Sequence, residues 1–463
     1  MPIRRLLVAN RGEIAVRVIR AAQELGIETV AVHSDADGES LAVRMADVVV
    51  PIGPPQASKS YLNADALMKA ALDSGADAVH PGYGFLSENA AFAERVENAG
   101  LLFVGPTPES IRIMGNKSLA RETAAKAGVP CVPGSVGLVE SIDQAVSIAT
   151  TIGWPIMIKA SAGGGGRGIR VAHNADELKD QMATAQAEAQ AAFGDKSVYL
   201  ERFIRRARHV EVQVLGDGRN AVHCFERECS LQRRRQKILE EAPSPALSTE
   251  TRTRLCESAV QLARSVSYRG AGTLEYLYDD QTGEFFFIEM NTRIQVEHPI
   301  TEMITGIDLV REMIRIAGGE PLRFRQEDIV MRGVAIECRI NAEDPAKNFM
   351  PSPGKVHAVT LPGGPGVRID SMLYPGYTVP PWYDSLLAKL VVHAEDRPAA
   401  IARMRRALGE LHIEGIKTTR GLHLTLMDEP RFQCADFDTN SLEGWLAARA
   451  AAAPAATVST TPS

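Results

Sequence analysis

Between Glu289 and Glu297 every second residue is polar: Glu289, Asn291, Arg293, Gln295 and Glu297, with Met290, Thr292, Ile294 and Val296 between them. Carboxylates with an asparagine suit a hard divalent cation, which prefers oxygen ligands. A guanidinium and an amide suit a small planar anion. The segment follows Phe285-Phe286-Phe287-Ile288, an apolar run that reads as a core strand. Alternate side chains of a strand share a face, so an extended segment would converge all five groups on one patch. A solvated edge strand alternates in the same way, but it does not explain the run of phenylalanines. The pattern predicts a site with a metal end and an anion end, on a strand that breaks into a loop after about Asn291.

Glu275, in Gly272-Thr273-Leu274-Glu275-Tyr276, lies on a second predicted strand, joined to the first by the turn-rich Asp279-Asp280-Gln281-Thr282-Gly283. Such a hairpin brings Glu275 beside Glu289, where two carboxylates repel unless a cation lies between them. Mg²⁺ held by one or two carboxylates plus substrate phosphates removes that repulsion, the alternative being a pair that faces solvent on opposite sides of the hairpin; Asn291 on the same face favours the first. A run of glycines, Gly163 to Gly166, lies in Ser161-Ala162-Gly163-Gly164-Gly165-Gly166-Arg167-Gly168, after the strand-like Ile156-Met157-Ile158-Lys159. Its backbone N–H groups can face an anion without obstruction by a Cβ, and Lys159 and Arg167 add positive charge. A flexible surface loop is the plainer alternative, and no Walker GK[ST] follows. Lys117 is a second candidate phosphate lysine. Glu201 to Ile204 follows Val198-Tyr199-Leu200, where a backbone edge could read an adenine. The cluster Gln232-Arg233-Arg234-Arg235-Gln236-Lys237 reads either as a solvated charge run or as a site for a small anion or a triphosphate.

Residues 1–114 alternate short apolar strands (Leu6 to Ala9, Thr29 to Val32, Ala76 to Val79, Leu101 to Val104) with amphipathic helices near 14–25, 64–72 and 89–99. That order predicts a doubly wound parallel sheet. A second block spans 115–330 and contains an inserted lobe at about 131–204 with its own strands. A third, 333–446, opens with strand-like Val334 to Ile340 and is rich in glycine and proline, which predicts mixed or antiparallel strands with closing helices. Residues 447–463, mostly Ala, Pro, Thr and Ser, read as a disordered tail. The fold class is therefore multidomain α/β and α+β.

With 463 residues, several domains are expected. The formal charge of −6 argues against a nucleic-acid partner, since phosphates need a basic excess. No apolar run is long enough for a membrane span, and the start has no signal-peptide core. Six scattered cysteines without CxxC pairs predict reduced thiols in a cytoplasm, with neither a zinc site nor disulfides.

Three longer motifs carry a resemblance: Glu289-Met-Asn-Thr-Arg-Ile-Gln-Val-Glu-His-Pro299, Lys159-Ala-Ser-Ala-Gly-Gly-Gly-Gly-Arg-Gly168 and His80-Pro-Gly-Tyr-Gly-Phe-Leu-Ser-Glu-Asn89. With Asn10-Arg-Gly-Glu-Ile-Ala15 and Glu337-Cys-Arg-Ile-Asn-Ala-Glu-Asp-Pro345, they resemble biotin carboxylase, the ATP-grasp subunit of biotin-dependent carboxylases, over about residues 3–446. The resemblance implies that Lys117, Lys159 and Gly163 to Gly166 hold ATP phosphates, and that Glu201, Ile204, His209 and Gln232 hold the rest of the nucleotide. It implies Mg²⁺ or Mn²⁺ on Glu275, Glu289 and Asn291, and bicarbonate on Lys237, Arg293, Gln295 and Val296. Glu297 would be the base, Arg339 would stabilise the biotin enolate, and Tyr83 would line the biotin pocket. Arg235 stands where His is common in the family, Ala162 where Gly is usual, and Trp382 where Tyr is common.

The chain carries no biotin-attachment sequence, so biotin is expected on a separate carrier protein, with carboxyltransferase subunits choosing the final acyl acceptor. A homodimer is the family expectation. Two other readings are a carbamoyl-phosphate synthase-like ligase and a silent nucleotide-binding scaffold. The Arg293 to Glu297 segment and the Tyr83 motif favour biotin over the first. The presence of every metal and base residue argues against the second.

Overall fold

The computed structural model describes residues 2–135, 137–160, 169–193 and 196–452. Near the N-terminus, Leu6, Leu7 and Val8 are buried on both faces of the strand Arg5–Val8. A short strand of continuous apolar residues is what the centre of a parallel sheet requires. It lies between Glu28–Ser34 and Ala78–His80, and the parallel sheet is completed by Val48–Gly53 and Leu102–Phe103 at its edges. The edge strand Val48–Gly53 is absent from the sequence reading, because Pro51 interrupts its pattern. An edge position tolerates a residue that cannot donate to a ladder.

Helix Gly12–Glu24 buries Ile14, Val18, Ala21 and Ala22. It starts at Gly12, whose φ of +71° favours a residue without a Cβ. Helix Ala90–Asn98 starts where the Asn89 side chain accepts from the backbone N–H of Phe92. The end of the His80 to Asn89 motif is thus a helix cap.

An eight-stranded sheet runs in the order Phe285–Asn291, Arg269–Asp279, Ala207–Asp217, Ala221–Arg233, Gln236–Ala242, Val334–Asn341, Leu386–Ala394, Val367–Ser371. Val334–Asn341, Leu386–Ala394 and Val367–Ser371 join it antiparallel, through Glu240 opposite Glu337, while six short strands between Glu343 and Ile413 form three separate two-stranded antiparallel pairs. The antiparallel strands with closing helices expected of this block are present. Helices Arg397–Glu410, Arg420–Met427 and Ser441–Ala452 follow. The last of these corrects the expected disordered tail, since residues 447–452 are helical; 453–463 lie outside the described residues.

The chain divides into two compact units. One contains the described residues up to Val129, Arg208–Tyr276 and those from Glu289 onward; the other contains Pro130–Ala207 and Leu277–Ile288. The second has a three-stranded antiparallel sheet, Ile169–Ala172, Ile156–Ala160, Val198–Arg202, with helices Ile142–Ile152 and Ala175–Phe193. Ile156, Ile158, Leu178, Met182, Val198 and Leu200 form its core. All six cysteines are free thiols. Among the described residues, no helix is long and apolar enough to cross a membrane.

Candidate active site

The strand Phe285–Asn291 ends where the polar series predicted a break. Its partner is Arg269–Asp279, and the connecting turn is closed by Asp279 N–H to Glu284 O at 2.8 Å and Gly283 N–H to Asp279 O at 2.8 Å. At the far end, Asn291 Nδ2 donates to Glu275 Oε1 at 3.0 Å. Burial and the Glu275 charge both push the Glu289 carboxyl above its usual range. Glu275 is held below its own range by Lys237 and His209, against the effect of burial. Two carboxylates under mutual repulsion, with an amide oxygen alongside, are a donor set that fits a hard divalent cation.

Beyond Asn291 the pleat no longer sets direction. Residues 292–297 form a loop leading into helix His298–Thr305. Arg293, Gln295 and Glu297 therefore reach the site by loop geometry, and not as alternate residues of one strand face. Arg293 Nη2 donates to Asn291 Oδ1 at 2.9 Å, and Arg293 Nε donates to Glu88 Oε2 at 2.8 Å. Glu88 also accepts from the backbone N–H of Thr292 at 3.0 Å, so one carboxylate positions the start of the loop.

The basic cluster is a hairpin turn. Arg234 and Arg235 have φ of +48° and +67° between the strands Ala221–Arg233 and Gln236–Ala242. Two consecutive positive φ values match the twist of a tight hairpin. Arg235 and Gln236 line the cleft, but Lys237 alone of the cluster enters the carboxylates. Its Nζ donates to Glu297 Oε1 at 2.6 Å, to Glu275 Oε1 at 3.1 Å and to Glu211. Arg339 Nη2 donates to the other Glu297 oxygen at 3.0 Å, and Arg339 Nε to Glu240 Oε1 at 2.6 Å. Burial alone would raise the Glu297 carboxyl; Lys237, Arg339 and Arg227 hold it well below its usual range, so it stays ionised.

Arg227 and Glu211 are missing from the sequence reading. Arg227 is fully buried and donates to Glu211 Oε1 (2.6 Å), Gln213 Oε1 (2.7 Å), Thr301 Oγ1 (2.9 Å), Thr273 Oγ1 (3.1 Å) and Gln295 Oε1 (2.9 Å). Because the Gln295 oxygen is held by Arg227, its NH₂ faces the site, where it donates to Glu275 Oε1 at 3.0 Å. Glu211 in turn holds Lys237. The only sequence signal was an arginine between acidic residues in Glu226-Arg227-Glu228.

His209 Nε2 lies 3.2 Å from Glu275 Oε2, and Gln232 Nε2 meets His209 Nδ1 at 2.9 Å. Glu289, Asn291, Arg293, Gln295, Val296, Glu297, Lys237, Arg339 and Tyr83 line one cleft of about 770 Å³. Lys117 is exposed at the first turn of helix Lys117–Lys126 and lowers the Glu289 carboxyl by its charge. In the second unit, Lys159 Nζ is paired with the buried Glu201, and Ile204 packs with Val132, Ala207 and Phe286. Gly163, Gly164, Gly165 and Gly166 lie outside the described residues.

Two carboxylates whose chemistry suits a cation stand beside a lysine, an arginine and an amide whose chemistry suits a small anion, with the ionised Glu297 among them. Three family profiles match consecutive parts of the chain: biotin carboxylase, N-terminal domain, over 2–111; carbamoyl-phosphate synthase L chain, ATP binding domain, over 116–325; and biotin carboxylase C-terminal domain over 337–444. Biotin carboxylase 1 of Bacillus subtilis is 54% identical over 442 residues, covering 95% of this chain and 98% of that one. Among solved structures, the biotin carboxylase domain of a thermophilic 2-oxoglutarate carboxylase bound to bicarbonate shares 46% identity, with a TM-score of 0.92 over 96% of this chain and 98% of that one. The biotin carboxylase domain dimer of the Hydrogenobacter thermophilus 2-oxoglutarate carboxylase, in complex with MgADP, ADP and bicarbonate, shares 48% identity at a TM-score of 0.86, covering 96% and 98% of the two chains. The chain belongs to the biotin carboxylase family.

Proposed function

We propose that this protein carboxylates biotin, using ATP and bicarbonate through a carboxyphosphate intermediate, and that the cleft around Glu297 is where it does so. One observation carries the reading: Glu297 is clamped between Lys237 Nζ at 2.6 Å and Arg339 Nη2 at 3.0 Å. A base thus lies between an anion-binding lysine and an arginine facing the opposite side. In this reading Lys237, Arg293, Gln295 and Val296 hold bicarbonate. An entering anion competes for Lys237, which relieves the cationic field on Glu297 and makes it a stronger base. The proton passes to Glu297, and the bicarbonate oxygen attacks the γ-phosphorus as the bond to ADP breaks. Carboxyphosphate then divides into CO₂ and phosphate. The released phosphate takes the proton of the biotin ureido nitrogen, Arg339 stabilises the anion that remains, and that nitrogen attacks CO₂ to form carboxybiotin.

Glu275, Glu289 and Asn291 would hold the Mg²⁺ or Mn²⁺, which neutralises charge on the triphosphate. Lys117, Lys159 and Gly163 to Gly166 are assigned to phosphates, and Glu201, Ile204, His209 and Gln232 to the remaining nucleotide. Tyr83 is assigned to biotin. The working domains are 1–114, 115–330 with a lid lobe at about 131–204, and 333–446. The partners in this reading are a biotin carrier protein and carboxyltransferase subunits, as in an acetyl-CoA carboxylase, with a second copy of the chain completing a dimer. The dimeric 2-oxoglutarate carboxylase relative, in complex with MgADP and bicarbonate, supports the dimer.

The test is ATP cleavage and carboxybiotin formation with free biotin, bicarbonate and Mg²⁺. Glu297→Gln and Arg339→Ala should each lower carboxybiotin formation by about 100-fold or more, the scale of a lost acid–base or electrostatic group. Biotin-dependent ATP cleavage left intact in both variants sinks the assignment. ATP cleavage that responds to ammonia and not to biotin would move the chain to the carbamoyl-phosphate reading.

A further inference from the structure

Lys389 is a fully buried lysine that the mechanism above does not use. It stands mid-strand in Leu386–Ala394, between the buried Ala388 and Leu390. A lysine is almost never buried unless it is paired. Its Nζ lies 3.1 Å from Glu13 Oε2 and donates to the backbone carbonyl of Val296 at 3.0 Å. Glu13, equally buried at the start of helix Gly12–Glu24, accepts from the Tyr83 hydroxyl. Tyr83 and Val296 both line the cleft, one assigned to biotin and the other to bicarbonate.

The sheet register sharpens this placement. Arg339 and Lys389 are directly opposite each other on adjacent strands, and Asp370 is opposite Lys389 on the next. Opposite residues share a face, so Arg339 and Lys389 hold two consecutive residues of the loop. Arg339 takes the Glu297 carboxylate, and Lys389 takes the Val296 carbonyl. Asp370 is 3.9 Å from Lys389 and is neutralised by Arg368 at 2.7 Å, which leaves Glu13 as the near counter-charge of Lys389.

We propose that the Lys389–Glu13 ion pair is a buried spacer that sets the distance between the biotin-side Tyr83 and the bicarbonate-side Val296 loop, so that CO₂ is released within reach of the acceptor nitrogen. The proposal rests on the function proposed above. Neither residue touches substrate; both are positioning residues. The physical requirement is distance, because reacting atoms must lie about 3–3.5 Å apart and a displacement of about 1 Å costs on the order of 100-fold. The two ends of the spacer come from residues 13 and 389 and meet only in the folded unit. A slack spacer leaves ATP cleavage running while CO₂ escapes uncaptured.

The readout is therefore a ratio, carboxybiotin formed per ATP cleaved, which a general loss of folded enzyme does not move. Replacing both charges together, Glu13→Gln with Lys389→Met, avoids an unpaired buried charge and keeps the fold testable. The expected result is a ratio lowered by about tenfold or more, within the scale of a sub-ångström to 1 Å displacement. A ratio unchanged while both rates fall together overturns the spacer. The second measurement is a cycle between Tyr83→Phe and Glu13→Gln. Tyr83→Phe should lower the ratio in the parent and have little further effect in the Glu13→Gln background; equal effects in both backgrounds overturn the proposal. Parent enzyme that cleaves ATP but never carboxylates biotin would instead refute the proposed function.

Discussion

Glu240 and Glu337 face each other across the strands Gln236–Ala242 and Val334–Asn341, both fully buried, and Glu240 accepts from Arg339 Nε at 2.6 Å. Neither carboxylate oxygen of Glu337 has a hydrogen-bond partner. Two buried carboxyls at that separation do not both ionise. Burial and the nearby Glu297 charge raise Glu240 to about 7 against the pull of Arg339, while burial and the Glu240 charge push Glu337 well above the usual carboxylate range, so Glu337 keeps its proton.

Glu337→Gln should therefore leave turnover close to that of the parent, match its stability below about pH 4.5 and exceed it at neutral pH. Unfolding in denaturant across pH adds a signed test. The native group keeps its proton where the unfolded chain, titrating near 4.5, has released it. The parent thus loses stability as pH rises above that value, and the glutamine variant lacks this slope. Glu240→Gln, by contrast, removes one of the two carboxylates on Arg339, Glu297 being the other, and should cost about 1–3 kcal/mol.

Arg227 offers five N–H donors to five acceptors, a geometry lysine cannot match. Arg227→Lys keeps the charge but releases Gln295, and should raise KM for bicarbonate about tenfold while KM for ATP changes little. Steady-state kinetics in each substrate separate the two. Arg227→Met leaves Glu211 buried without its arginine and should cost about 3–5 kcal/mol of stability.

His423 couples the stability of the site strand to acid. It is fully buried, and its Nε2 lies 2.7 Å from the carbonyl oxygen of Arg339, which also accepts from Thr419 Oγ1 at 2.8 Å. Burial pushes the imidazole down to about 4 from 6.5, with the Arg339 carbonyl opposing. The unfolded chain binds this proton first, so stability present above about pH 6.5 declines on acidification and levels off below about 4, by roughly 3 kcal/mol. Denaturant midpoints measured from pH 7 to 4 should show the decline, and His423→Gln should flatten it.

Chelation of divalent cations should stop ATP cleavage, and Mg²⁺ or Mn²⁺ should restore it. Glu289→Gln removes one of the two proposed carboxylate ligands and should raise the metal concentration needed for half-activity by about tenfold or more. An unchanged metal requirement would remove Glu289 from the cation site.

Much of this site was legible in the linear pattern because its signals are local. The hairpin that brings Glu275 to Glu289 is announced by Asp279 to Gly283, and the strand end at Asn291 by the switch from Phe285-Phe286-Phe287-Ile288 to a polar series. The parallel N-terminal sheet followed from alternating apolar strands and amphipathic helices. The edge strand Val48–Gly53 did not, because Pro51 conceals it. The arginines at 233–235 were more prominent in the sequence than Lys237, yet Arg234 and Arg235 form a hairpin turn and Lys237 is the one that reaches the carboxylates.

The chain by itself determined the chemistry on offer and the family: carboxylates, an amide, a guanidinium and lysines at spacings that one strand and its neighbours can bring together. Only the tertiary structure decided which groups hold which. Arg227, Glu211 and Lys389 stand alone in their segments, without motif or periodicity, and Glu88 lies in a motif that does not name its partner; each acts on a residue distant in sequence: Glu88 on Arg293, Arg227 on Gln295, Glu211 on Lys237 and Lys389 on Val296. Such pairings arise because a buried charge must find a partner, and the nearest partner in space is chosen by sheet register and loop path, which short-range sequence patterns do not encode.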